Sequence, residues 1–445
     1  MKYIVGIDDH DSYKFGCTTH FSILLLSNLI KFHNVKLLDL PYLVRLNPNV
    51  PWKTRGNAAI RLFLEFNGTK KELAEIIFYY STKYVENISL AHNFGRKPGL
   101  AIIDEEDFKK NQAKFYDLYI MGVSDIIPMD YARSIAEKYN IEIRGDRGII
   151  GSIASIGVSG DYTYELIAYR KKENWLRKRY IENQSVKEID TLYFPNVFAN
   201  YDYIEDKPLI ISHGYDPILF GIRGTSIKIL LNALKMIRTE EDIDFFAIFK
   251  SNQGTDIHLK FTGTHFYQEI KRLIEIDEVS ILKGGDVLIR STNNDHIFVY
   301  KETGELNKAA KQLKKGDKLL VYGAIKPSQK FGKIIEAEKF EIIELNDIIY
   351  SNPFCPKCGS STESLGKNKG FRCKKCKYII KSSGKVKKKI TRDISLGIYQ
   401  TRAYRHLTKP LFLELDSNKI DINEELAYLH FLNDSLNSYK ISSYL

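Results

Sequence analysis

The chain has 445 residues, a formal net charge of +11, and 44% hydrophobic against 27% charged side chains. That length exceeds what one ordinary core accommodates, so three or four soluble, globular domains are expected. Neither a secretory signal nor an unbroken apolar span of about twenty residues is visible, which argues against a membrane partner and favours a cytoplasmic location.

The first elements alternate. "YIVGI" (3–7) reads as a short β-branched strand and Thr18 to His33 as a buried helix around Leu24, Leu25, Leu26 and Leu29. "AAIRLFLEF" (58–66) and "GLAIID" (99–104) are further strands, with a helix over Lys70 to Tyr84 and polar helices up to Tyr139. This is an α/β domain, closing at "IRGDRGIIGSIASIG" (143–157), a glycine-rich turn that opens a small-residue helix.

The pattern restarts at Tyr162. "YTYELIAYR", "KPLIIS" and "DFFAIFKSNQG" are predicted strands and "IKILLNALKMI" a helix, which suits a small ferredoxin-like α+β sheet with helices on one face. From about Val279 the texture becomes all-β. "DVLIRST", "HIFVYKE", "DKLLVYGAI" and "KIIEAEKFEIIEL" suggest an oligonucleotide-binding (OB) barrel, or another small β-barrel.

"CPKCGSSTESLGKNKGFRCKKC" follows. Cys355, Cys358, Cys373 and Cys376 form two C-x2-C turns, each aiming two sulfurs at one point. Four thiolates suit a structural Zn²⁺ in tetrahedral geometry, and the lone fifth cysteine, Cys17, leaves a pattern typical of a reducing compartment. Lys357, Lys374, Lys375 and Lys377 lie between or beside the ligands, and Lys387, Lys388 and Lys389 follow in "KVKKK". Between Ser351 and Pro410, twelve Lys and four Arg stand against Glu363 and Asp393, giving +14 and leaving −3 for the remainder. Basicity confined to one segment, with no amphipathic apolar stripe, points to nucleic acid. A solvated basic loop is the plainer alternative.

The slightly acidic front holds a denser signal. "GIDDHDSYKFGCTT" (6–19) sets Asp8, Asp9 and Asp11 at a strand end, the hard oxygen ligands that Mg²⁺ takes alongside substrate phosphates. Thr18 opens the next helix, where it serves either as N-cap or beside an anion. "RLNPNVPWKTRGNAA" adds Arg45, Lys53 and Arg55 in an irregular loop, and "RGDRGIIG" adds Arg144, Arg147, Gly148 and Gly151. Cations and glycine backbone together suit phosphate binding, although neither a Walker A sequence nor the paired protein-kinase signatures are present.

"GIDDHDS…GCTT", "RLNPNVPWKTRGN", "RGDRGIIGSIASIG…DYTYELIAYR", "NYDYIED", "LFGIRGT" and "SNQGTDIHL" resemble, in order and over nearly the whole chain, the archaeal tRNA-isoleucine 2-agmatinylcytidine synthetase (TiaS) family. One departure is visible: His10 stands where that family's acidic motif carries threonine. The resemblance implies a kinase-like ATP-binding module over 1–157, a ferredoxin-like domain over 158–272, an OB fold over 273–347, a zinc ribbon over 348–392 and a basic, helical tail over 393–445. It implies a ligase that consumes ATP and joins agmatine to C2 of the wobble cytidine of an isoleucine tRNA with a CAU anticodon, giving AUA decoding. Thr18 matches a threonine that the family autophosphorylates. Phosphorylation would turn the C2 oxygen into a leaving group, with Asp8, Asp9 and Asp11 holding Mg²⁺ against ATP. The target base would leave its stack to react. Agmatine is doubly positive, so its pocket is expected to contain carboxylates, and Asp202 and Asp256 are candidates, with turn-capping as their plainer role. A non-catalytic single-strand-binding protein would account for the basic segment but leave the acidic and cationic loops without purpose.

Overall fold

The computed structural model describes residues 1–53, 56–212, 214–381, 384–402, 406–415 and 420–438. These form two compact units, residues 1–270 with 404–445, and 271–403.

The first unit runs β1 (Lys2–Asp8), α1 (Thr18–His33), β2 (Lys36–Leu37), β3 (Tyr42–Arg45), β4 (Ala58–Glu65), α2 (Lys70–Tyr84), β5 (Gly99–Asp104), α3 (Glu105–Lys110), α4 (Gln112–Ser124), α5 (Met129–Lys138), β6 (Glu142–Gly145) and α6 (Ile149–Ile156). It continues with β7 (Thr163–Arg170), α7 (Asn183–Tyr193), β8 (Tyr201–Asp202), β9 (Lys207–Pro208), β10 (Ile218–Gly224), α8 (Ile227–Met236) and β11 (Ile243–Ser251). One sheet spans both predicted halves, in the order β10-β7-β11-β3-β4-β1-β5-β6. The seam is a short parallel pairing, Lys250 with Tyr42 and Ser251 with Leu43. The main strands of the ferredoxin-like part therefore extend a shared sheet, and only the short β8–β9 pair stands apart from it.

Helices cover both faces, which is why β1 is apolar along its length and not alternating. Tyr3, Val5 and Ile7 pack with α1 and α2, while Ile4 faces the opposite core around α4 and α6. Gly6 is where α6 crosses β1: a side chain there would overlap the backbone of Ser152.

One expected strand fails, and an unexpected one takes its place. "KPLIIS" contributes only β9, a two-residue partner of β8, and then runs past β10 with Gly221 N–H donating to Ile210 O at 2.9 Å. The third sheet strand of this part is β10, whose Gly221 and Gly224 concealed it from a β-propensity reading.

β12 (Glu269–Ile281) leads into the second unit and begins four residues ahead of the expected boundary at 273. With β13 (Val287–Ser291), β14 (His296–Val299), α9 (Glu305–Ala310), β15 (Lys318–Ser328) and β16 (Gly332–Glu344) it closes a five-stranded barrel through a parallel β14–β16 pairing. The helix between the third and fourth strands and that closure are OB features. The ribbon follows: β17 (Ile348–Ser351), β18 (Thr362–Ser364), β19 (Phe371–Cys373), β20 (Ile379–Ile380) and β21 (Val386–Lys389).

Residues 393–445 are not a separate tail. β22 (Gly397–Gln400) adds to the barrel sheet against β16, while α10 (Ile422–Ser438) packs on α1 in the first unit. Tyr428, Leu432 and Leu436 are the buried stripe of α10, and Ser27 Oγ donates to Leu436 O at 2.9 Å. This explains why α1, apolar on every side, needs no membrane; among the described residues no helix is long and apolar enough to cross one.

Candidate active site

β1 ends at Asp8 and the chain turns sharply through Asp9, whose φ is 63°. Asp8, Asp9, Lys53, Arg147, Gly148 and Gly151 all line one cleft of about 150 Å³, so three separate sequence signals converge. Asp9 Oδ2 accepts from Lys97 N–H at 2.8 Å and from Arg147 at 3.1 Å. Asp8 makes no ion pair among the described residues, although the Arg147 charge acts on it; its carboxylate accepts from Asp9 N–H at 2.6 Å. Burial, then the charges of Asp9 and Asp11, push the Asp8 carboxyl well above the usual carboxylate range. Asp9 is raised as well, again chiefly by burial, with the Lys97 amide and Arg147 acting against the rise. Gly151 is required here, because a Cβ would overlap the Asp8 carboxylate.

Asp11 turns the other way. Its Oδ1 accepts from Thr18 N–H at 2.7 Å and from the Thr18 hydroxyl at 3.0 Å, so α1 is capped from upstream by Asp11 and Thr18 is not the N-cap. The three carboxylates consequently do not converge at metal-ligand spacing; among the described residues only the four cysteines do. Asp11 and Thr18 face a neighbouring cavity of about 480 Å³, with Asn57 lining both spaces. His10 is buried, stacked on Phe21 with centroids 4.1 Å apart, and its Nε2 lies 2.7 Å from Ser81 Oγ. Burial lowers its pKa to about 3, so the imidazole is neutral and serves packing.

Three expected residues sit elsewhere, and a fourth is not described. Arg144 lies on β6, paired with Glu142, and does not reach the cleft that Arg147 enters three residues later. Asp202 Oδ1 accepts from Ile204 and Glu205 N–H at 3.0 Å each, which makes it the capper of the β8–β9 turn. Asp256, at φ 55°, accepts from Lys409 N–H at 2.7 Å; neither aspartate lines a described cavity of this site. Arg55 falls outside the described residues.

The larger cavity also draws on Arg45, expected in an irregular phosphate-binding loop but found at the end of β3, and on Glu165, Asp216 and Arg223, to which the sequence assigned no role. Arg45 and Glu165 form a buried ion pair at 2.8 Å, Asp216 pairs with Arg179 at 2.7 Å, and Arg223 is held nearby, its pKa lowered by burial. "LFGIRGT" contained Arg223, and "SNQGTD" contained the clamp for Arg45. Asn252 accepts from Arg45 N–H at 2.7 Å and donates to Arg45 O at 2.9 Å, fixing the end of β3.

In the ribbon, neighbouring sulfurs of Cys355, Cys358, Cys373 and Cys376 lie 3.5 Å apart across Cys355–Cys376, Cys358–Cys373 and Cys358–Cys376. Tetrahedral thiolates about 2.3 Å from a zinc ion stand at close to that separation, so the cluster fits Zn²⁺. Lys357, Lys374, Lys375 and Lys377 are exposed around it. On β21, Lys387 and Lys389 share one face and Lys388 takes the other.

An α/β module with a carboxylate-and-cation cleft, an OB barrel and a four-thiolate ribbon define a multidomain nucleic-acid-modifying enzyme. Family models for the TiaS TCKD domain, the TiaS FLD domain and the TiaS C-terminal zinc ribbon domain match residues 4–145, 146–258 and 352–394. The chain is 64% identical over the full length of both sequences to the isoleucine-tRNA 2-agmatinylcytidine synthetase TiaS of Saccharolobus islandicus. It is 35% identical to that of Methanocaldococcus jannaschii, covering 93% of this chain and 99% of the relative. A crystal structure of TiaS in complex with its isoleucine tRNA and ATP superposes with a TM-score of 0.81 at 30% identity, over 94% of this chain and 98% of that one. A TiaS complex with the same tRNA, AMPCPP and agmatine gives 0.77 at 28% identity, over the same shares. The chain belongs to the TiaS family of isoleucine-tRNA 2-agmatinylcytidine synthetases.

Proposed function

We propose that this chain is an ATP-dependent ligase that joins agmatine to C2 of the wobble cytidine of the isoleucine tRNA that carries a CAU anticodon. The observation that carries the reading is the pairing of two adjoining cavities, one holding Asp8, Asp9, Lys53 and Arg147, the other Asp11 and Thr18.

ATP phosphates suit the smaller cleft. Lys53 and Arg147 offer positive charge, Gly148 begins α6, and the exposed indole of Trp52 gives a base an apolar surface at the rim. Magnesium fits Asp8 with Asp9 beside it, the two carboxylates that share the smaller cleft, whereas Asp11 faces the larger cavity. Bound there, the ion would neutralise charge on the phosphates during transfer. The residues orient the rest: Arg147 fixes Asp9, and Asp11 holds the Thr18 hydroxyl toward the larger cavity, where it is placed to accept phosphate.

Agmatine suits that larger cavity. Ile167, Ile210 and Ile211 line it beside Glu165, Asp216 and Asp11, apolar walls for a four-carbon chain between carboxylates for its cationic ends. These carboxylates replace Asp202 and Asp256 as our assignment. The exposed ribbon lysines contact tRNA phosphates. In net terms ATP gives up a phosphoryl group through cleavage of a P–O–P bond, the C2–O bond breaks as that oxygen leaves as phosphate, and the agmatine amine forms the C2–N bond and releases a proton.

The test is ATP consumption with each substrate omitted in turn. Consumption that requires the CAU-anticodon isoleucine tRNA and agmatine together is the expected result. A pure single-strand binder would consume none, and equal consumption without tRNA would point to a small-molecule kinase.

A further inference from the structure

β11 meets β3 only at Lys250 and Ser251, and α10 reinforces that short seam. Two residues before it, the Ile248 N–H donates to the Tyr428 hydroxyl of α10 at 2.9 Å, a side chain standing in for a strand partner. Three residues earlier on α10, Glu425 gathers a cluster. Its Oε1 accepts from the hydroxyls of Tyr162 at 2.8 Å and Tyr164 at 2.6 Å, and its Oε2 pairs with Lys250 Nζ at 2.9 Å. Lys250 Nζ also pairs at 2.9 Å with Asp39, just ahead of β3. Lys250 is the middle rung of the seam, opposite Tyr164 on β7 and Tyr42 on β3. The Glu425 and Lys250 side chains are only 12% and 10% exposed, so salt screens their attraction little. At the far end of α10, Asn433 accepts from Leu37 N–H at 3.2 Å and donates to Leu37 O at 3.1 Å, gripping β2.

The larger cavity straddles this seam. Asp11, Thr18 and Arg45 reach it from the first half of the sheet, Glu165, Asp216 and Arg223 from the ferredoxin-like part, and the Arg45–Glu165 pair joins the two sides. Glu165 follows Tyr164, and Arg45 ends the strand that Tyr42 begins, so a shift at Lys250 passes directly to that pair.

We propose that Glu425 is a positioning residue for the ligase reaction: through Tyr164 and Lys250 it fixes the seam, and with it the spacing of Glu165 and Asp216 from Thr18. Glu425 itself lines neither cavity. A dication is held well only when the carboxylates for its two ends stand at one spacing. Its amine meets a reacting carbon only when held in line, so a displacement of about 1 Å costs both affinity and rate. The inference rests on the reading above for the agmatine in that cavity, and on the contacts of α10 alone for its mechanics.

The experiment combines steady-state tRNA modification, with agmatine and ATP varied in turn, and amide hydrogen exchange over residues 246–252, both in the full-length protein. Glu425→Gln keeps the side chain's size but removes the charge that faces Lys250. The KM for agmatine should rise roughly tenfold and kcat should fall, while the KM for ATP stays within about twofold and exchange over 246–252 quickens. Tyr164→Phe removes one hydrogen bond and no charge, so it should move the same quantities in the same direction by less, which a general folding defect would not do. Asp216→Asn tests the agmatine assignment separately. An unchanged KM for agmatine in that variant would sink the assignment, while faster exchange and a lower kcat in Glu425→Gln would still uphold the clamp. Unchanged exchange in Glu425→Gln, or faster exchange with wild-type kinetics, would overturn it. So would an equal rise in the KM for ATP, which would make α10 a brace for the whole unit.

Discussion

Asp11 accepts two hydrogen bonds from Thr18 through one oxygen, from the backbone N–H at 2.7 Å and from the side-chain hydroxyl at 3.0 Å. This single contact ties the acidic loop to the start of α1 and separates capping from chemistry. Thr18→Ala removes the hydroxyl bond to Asp11 and the longer one, 3.3 Å, that the hydroxyl accepts from His10 N–H, so the loop and helix should lose about 1 kcal/mol, because Asp11 still caps the amide. Modification should slow far more than stability falls. Phosphopeptide mapping after incubation with ATP checks it, and a wild-type peptide over 12–31 carrying no phosphate would remove Thr18 from the chemistry.

Asp8→Asn should stabilise the protein and abolish modification. The buried Asp8 carboxylate is opposed by burial and by two like charges, so its pKa is raised in the folded state. A raised carboxyl contributes stability below its unfolded pKa, and that contribution is lost as pH rises through the folded value. At neutral pH the amide removes this penalty. Melting should rise by a few degrees while tRNA affinity is unchanged and product formation stops. A variant that modified tRNA normally at limiting magnesium would contradict the metal assignment.

Gly151→Ala tests the cleft without altering charge. The new methyl meets the Asp8 carboxylate and, at 3.1 Å, Leu46 Cδ1. Nucleotide affinity should drop at least tenfold, and equilibrium dialysis with ATP would show it.

Asp190 on α7 gives a pH signature far from the chemistry. Burial raises its carboxyl to about 6, against weak support from Asn200 and Tyr203. Stability should therefore decline as pH rises through about 6, and Asp190→Asn should remove that slope, gaining about 1–2 kcal/mol at pH 7.5. Urea melts of both proteins at pH 5 and 7.5 measure it.

Cys373→Ser should lower zinc content and loosen a ribbon too small to hold a core of its own. Affinity for tRNA and its dependence on salt should both decrease as the lysines lose their fixed arrangement, with nucleotide affinity unchanged. Unaltered tRNA binding in a zinc-depleted variant would show that the ribbon is not an RNA-binding element.

Local structure was legible where one physical cause acted alone. β1 and α1 followed from apolar runs bounded by polar turns, and the thiolate cluster from spacing. What escaped depends on contacts between distant residues. Two residue pairs, Lys250–Tyr42 and Ser251–Leu43, merge two predicted sheets, and neither carries a local signal. Arg144 and Arg147 share one motif, yet a strand directs the first onto Glu142 while the turn into α6 brings the second to Asp9. Charge alone singles out Asp202 and Asp256, but without placement it does not distinguish a turn-capper, Asp202, or an acceptor for the distant Lys409 N–H, Asp256, from Glu165 and Asp216, which line the larger cavity.

The central claim is the covalent product. Full-length protein incubated with a transcript of the CAU-anticodon isoleucine tRNA, ATP, magnesium and agmatine, followed by nuclease digestion and mass spectrometry, reads the anticodon nucleoside directly. The account predicts that the wobble cytidine gains agmatine with loss of water, only when ATP and agmatine are both present, and that Asp8→Asn leaves it unmodified. An unchanged cytidine under conditions where the protein demonstrably binds both tRNA and ATP would contradict it.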